Sequence, residues 1–145
     1  MVHQFKKLTK EEVELLLKAP VLLSVYASST NHEINKTEKA DAIKLAHIKT
    51  YSATPVLLEY YREAEKNFIQ SFNELENKYA PFDDEKREAL AKEIDKVNHI
   101  ISKLDKVFAD LLHSSLTNYA EHVKKSSRGF FENFVFPVPI SGLDN

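Results

Sequence analysis

DDEKREALAKEIDKVNHIISKLDKVFADL, running from Asp83 to Leu111, is the stretch that decides the fold. Leu90, Ile94, Val97, Ile101, Leu104, Phe108 and Leu111 recur at alternating steps of four and three, which keeps them on one stripe of an α-helix. Asp83 and Asp84 stand at its start with Glu85 and Glu88 in the first turn, where unpaired amides and the helix macrodipole favour carboxylates. Glu88 with Lys92 and Lys106 with Asp110 have the spacing of solvated pairs on the opposite face. Other amphipathic segments are available to cover the apolar stripe, so it reads as the seam of an intramolecular bundle rather than of a coiled-coil dimer.

The stripe continues loosely through Leu112, Leu116, Tyr119 and Val123. One unbroken helix from Asp84 to Lys125 would run about 63 Å, too long for a compact domain whose radius of gyration is near 15 Å. A break is therefore expected. The weak helix formers His113-Ser114-Ser115 and Thr117-Asn118 place it there.

Working upstream, Leu57, Tyr61, Ala64, Phe68, Phe72, Leu75 and Tyr79 follow steps of four, three, four, four, three and four, predicting one long helix that begins at Pro55 and ends before Ala80-Pro81-Phe82. Asn35-Lys36-Thr37-Glu38 caps a preceding helix with the stripe Ala40, Ile43, His47 and Tyr51. Thr9-Lys10-Glu11-Glu12 is a capping box that opens the first helix. Pro20 predicts a break near Lys18 followed by a second short helix, and Ser28 to Asn35 reads as a loop.

Downstream, Lys124, Lys125 and Arg128 complement a helix carboxyl end, and Gly129 suits the left-handed position just beyond it. The expected organisation is an all-α, compact bundle of five to seven helices over residues 1–129. A non-helical aromatic and proline-containing segment then covers 130–145. Phe130, Phe131, Phe134 and Phe136 are four of the nine phenylalanines of the chain. A disordered tail is poor in aromatics, so this segment is expected to pack on the bundle or on a partner.

The 145-residue composition removes several function classes. The two glycines both fall in the last 17 positions, which leaves no glycine-rich phosphate loop, dinucleotide fingerprint or nucleophile elbow in the body of the chain. Zero cysteine removes disulfides, thiolate metal sites and cysteine nucleophiles, and suits a cytoplasmic setting. Twenty basic against 22 acidic residues lack the positive balance of a nucleic-acid binder. The longest uninterrupted apolar run, Ala19 to Leu23, is far too short to span a membrane, and Glu11, Glu12, Glu14 and Lys18 interrupt any signal-peptide pattern.

Six histidines invite a search for metal chemistry, but there is no H-E-x-x-H and no Glu-x-x-His. Asp110 with His113 and Asp95 with His99 read as surface pairs, and His47 as a half-buried core residue on its stripe. No motif brings Ser, His and Asp together for nucleophilic catalysis. The expectation is no catalytic residue, no metal and no cofactor. His32, Glu33 and Glu38, in the loop before the second cap, are the one set that would hold an ion if any did.

Two segments resemble the TerB-like, tellurite-resistance-like family of small helical proteins. They are Ala27-Ser28-Ser29-Thr30-Asn31-His32-Glu33-Ile34-Asn35-Lys36-Thr37-Glu38 and Tyr119-Ala120-Glu121-His122-Val123-Lys124-Lys125-Ser126-Ser127-Arg128-Gly129-Phe130-Phe131. The resemblance implies a compact all-helical fold and a stress-associated role, with metal binding as its alternative chemistry and no known catalysis. Where the family pattern carries an Asp and a Gly, this chain has Thr30-Asn31-His32. The residues themselves point to a protein acting by association with a protein partner or with itself, with no nucleic acid and no membrane. Phe130, Phe131, Phe134 and Phe136 are its candidate anchors.

Overall fold

The computed structural model describes residues 3–29 and 32–123. Seven α-helices account for most of them: α1 (Lys10–Leu17), α2 (Ala19–Ser28), α3 (Lys36–Ser52), α4 (Leu58–Glu65), α5 (Phe68–Tyr79), α6 (Asp84–Ile101) and α7 (Lys106–Val123). Short 3-10 turns at His3–Phe5 and Pro55–Leu57 precede α1 and α4, and no strand forms among the described residues. No described helix is long and apolar enough to cross a membrane. Gly129 and the segment 130–145, with its four phenylalanines, lie outside the described residues.

The three predicted N-caps form as bonded geometry. Thr9 Oγ1 accepts from the Glu12 amide at 3.1 Å while Glu12 Oε1 accepts from the Thr9 amide at 2.9 Å, closing the capping box. Asn35 accepts from Glu38 N, and Asp83 from Lys86 N. Each satisfies an amide that the first helical turn leaves without a backbone partner. Lys18 separates α1 from α2, and Pro20 sits in the first turn of α2, where its missing N–H costs nothing.

Helix α2 is the centre of the bundle. All ten of its residues are buried, and α3, α5, α6 and α7 pack around it. It carries no charged side chain, the condition for a helix to be enclosed on every side. Its Ser24 hydroxyl finds partners inside, whereas that of Ser28 is buried without one. Ser24 Oγ lies 2.7 Å from the Pro20 carbonyl and 2.9 Å from Tyr119 Oη, and Tyr119 donates to the Ala42 carbonyl at 3.0 Å. These contacts tie α2, α3 and α7 together at one point.

The structure corrects three sequence expectations. The apolar stripe from Leu57 to Tyr79 is largely buried, but its helix is broken at Lys66 and Asn67. The two halves serve different neighbours, α4 lying mainly on α3 and α5 mainly on α2, which one straight helix cannot do. The break expected at His113 to Asn118 lies instead between Ile101 and Lys106. Asp105 accepts from the Phe108 amide and so starts α7, while Ser115 and Thr117 are accommodated mid-helix through bonds to Tyr61 and to the His113 carbonyl. Finally, α3 turns the other face inward. Ala42 and Ala46 are buried, whereas the expected stripe member His47 has a 67% exposed side chain paired with Glu65 at 2.6 Å. Small residues win the inward position because they let α3 approach its neighbours closely.

Several buried side-chain polar atoms lack a hydrogen-bond partner, and the Asn98 amide carries two of them. Asn98 on α6 is 1% exposed, and neither atom of its amide has a hydrogen-bond partner. An unsatisfied buried amide costs roughly 1–3 kcal/mol. Asn98→Leu is therefore expected to stabilise the fold by about 1–2 kcal/mol, seen as a higher urea midpoint with an unchanged slope. A lower midpoint would show that the amide contributes more than its burial costs.

Candidate functional site: two adjoining clefts of opposite charge

The first cleft is built by the N-terminal segment. Phe5 is buried edge-on against Tyr60 and Phe108, each ring centroid 6.1 Å away. That anchor holds His3, Gln4, Lys6 and Lys7 beside the α6–α7 turn, before the Thr9 cap turns the chain into α1. The opposite wall consists of Val56, Lys103, Leu104, Asp105 and the first turns of α7, and the enclosed volume is about 510 Å³. Val56, Val107 and Leu111 are 41%, 68% and 37% exposed and face this space. They are three of the five large apolar side chains exposed among the described residues. Lys6, Lys7, Lys103 and His3 rim the cleft against a single carboxylate, Asp105.

The second cleft, about 450 Å³, lies between α1 and α6. Leu15 and Ile100 form its floor; Glu11, Glu12 and Asp95 outnumber Lys96 on its rim, with His99 beside them. Lys96 pairs with Glu93 at 2.8 Å, and that carboxylate holds the ammonium above its ordinary pKa. The two clefts meet at the ion pair between Glu12 and Lys103, since Glu12 lines the acidic one and Lys103 the basic one. Lys103 holds the Glu12 carboxyl below its ordinary pKa.

The residues singled out in the sequence lie elsewhere. His32 adopts a left-handed backbone conformation, φ 67°, uncommon for a residue with a Cβ. Its Nδ1 meets the Phe82 carbonyl, and its Nε2 is 4.0 Å from Asp84. Glu33 is exposed, and Glu38 occupies the first turn of α3. Among the described residues no three His, Asp or Glu side chains are grouped so as to hold a metal ion, and His32, Glu33 and Glu38 do not form such a group. Asp95 and His99 are on the surface, whereas Asp110 and His113 are partly buried rather than surface residues. Phe130, Phe131, Phe134 and Phe136 lie outside the described residues.

Val56, Val107 and Leu111 do not form a group in the sequence. Leu111 fits the heptad stripe and reads as core; it is half-exposed because the stripe changes helices at residues 102–105. The available signal was Val107, an apolar residue off the stripe beside Phe108. No family model, no curated protein and no solved structure matches this chain.

Proposed function

We propose that this is a non-catalytic helical protein of the cytoplasm that acts by protein–protein association, using the lysine-rimmed cleft as its contact surface. The observation that carries the reading is the concentration in one cleft of Val56, Val107 and Leu111, three of the five large apolar side chains exposed among the described residues. A grouped apolar floor within a polar rim is the pattern of an interface, while scattered single apolar residues are ordinary. The absence of cysteine supports the cytoplasmic setting.

A photo-crosslinking residue in place of Val107, expressed in cells, is expected to yield protein adducts that are missing when the same residue replaces Ile69, which is 55% exposed but outside the cleft. With the crosslinker moved to Val56, the pair Val107→Glu and Leu111→Glu should cut adduct yield by about tenfold while changing stability by only about 0.5 kcal/mol, as surface changes do. Equal adducts at positions 107 and 69 would remove the basis of the reading.

A further inference from the structure

We propose that the partner this face takes is a second copy of the same chain, docked so that the lysine-rimmed cleft of each copy covers the acid-rimmed cleft of the other. This rests on the association reading above and names its partner. Charge and arrangement both support it.

The first is charge. Lys6 and Lys7 are exposed on the basic rim, and Glu11 and Asp95 are exposed on the acidic rim. The second is arrangement. The clefts adjoin across the Glu12–Lys103 ion pair, so a two-fold axis passing near that pair exchanges them. Such an isologous contact is self-complementary only when the patches on either side of the axis complement each other. Here they do so twice, once for each copy. Both floors are apolar, so Val56, Val107 and Leu111 of one copy would face Leu15 and Ile100 of the other as the rims pair. Opposed rims fix register and partner, and the apolar floors supply the area removed from water.

The full chain should show concentration-dependent dimerisation in sedimentation equilibrium between about 1 and 200 µM, weakened by added salt because the rims are exposed. The double variant Lys6→Glu with Lys7→Glu should weaken self-association at least tenfold, because each contact then sets acid against acid. Glu11→Lys with Asp95→Lys should do the same with base against base. An equimolar mixture of the two variants should regain the wild-type mass as a heterodimer, since both contacts are again of opposite sign. All four positions are exposed, and an unchanged helical circular-dichroism spectrum will confirm that the variants fold.

A chain that stays monomeric throughout, or a dimer indifferent to both double variants and to their mixing, overturns the proposal. A monomer accompanied by position-107 adducts to a different protein would overturn self-association and leave the association reading standing. A monomer with no adducts specific to position 107 would remove both.

Discussion

Raising the pH from about 9 to about 11 is expected to remove roughly 4 kcal/mol of folding stability, a large part of the 5–15 kcal/mol typical of a domain. The origin is a set of three tyrosines enclosed in the core. Tyr60 is fully buried and donates to the Leu16 carbonyl at 2.7 Å; Tyr61 meets Ser115 at 2.5 Å; and Tyr119 donates to Ala42. Burial disfavours the phenolate. It raises Tyr60 well above the ordinary value, with Tyr61 and Tyr119 adding to the shift, and it raises Tyr119 strongly. Tyr61 is pushed up to about 12, the bond between it and Ser115 offsetting part of the burial effect.

In the unfolded chain all three ionise near pH 10. Their folded-state values are higher, so the contribution is complete below about pH 10 and is lost as pH rises from there, for Tyr61 through about 12. Each phenol removes about 1.4 kcal/mol per pH unit in that window, giving the total above for three. Urea midpoints measured across this range should fall steeply, and the tyrosinate absorbance of Tyr60, Tyr61 and Tyr119 should appear together with loss of helix. Tyr61→Phe should make the fall shallower by about a third. Full tyrosinate absorbance near pH 10 with the helical signal intact would contradict the enclosed position of these rings.

The second large effect is expected at Arg87. Its guanidinium is buried, donates from Nη1 to the Tyr26 carbonyl at 3.1 Å and to Ser29 Oγ at 3.0 Å, and lies 4.1 Å from the centroid of the Tyr26 ring. It thus places a fixed positive charge at the carboxyl end of α2, where the macrodipole is negative and the last carbonyls lack helical partners. Arg87→Ala is expected to cost about 3 kcal/mol, because charge-assisted bonds and the ring contact are lost together and buried acceptors are left behind. Arg87→Lys should recover less than half of that, since an ammonium is a point donor and cannot reproduce the planar fork. Chemical denaturation of the three proteins measures both numbers. A loss below about 1 kcal/mol for the alanine variant would mean that the central helix holds its carboxyl end without Arg87.

Arg87 also shows why parts of the fold were hidden in the sequence. On its own helix it sits in the first turn of α6, where a cation opposes the macrodipole and local reasoning finds no use for it. Its purpose comes from α2, 58 residues away along the chain at the Ser29 contact. The same applies to α3. Its sequence offers Ile43, His47 and Tyr51 as an apolar stripe, yet Ala42 and Ala46 face the core because they permit a close approach to neighbouring helices. The lysine-rimmed cleft was hidden for a related reason, as it assembles Lys6, Val56, Lys103 and Val107 from four separate segments.

What the sequence determined by itself was the class of fold and the starts of α1, α2, α3 and α6. Thr9, Asn35, Asp83 and Pro20 act within one turn of their own positions, through bonds and dihedral limits that need no neighbour, and the chain obeys each of them. The alternation of three and four also named six core residues correctly, from Leu90 to Phe108. Asp105 belongs with the caps: it stands three residues before Phe108, as Asn35 stands before Glu38. Only the tertiary structure decided that α2 is the enclosed centre, which face α3 buries, where the long stripes change helices, and that opposite charges gather in two adjoining clefts. Caps and propensities are local free energies of about 1 kcal/mol, read over a few residues. Burial is set by whichever distant segments arrive to cover a surface, and that is a property of the assembled chain.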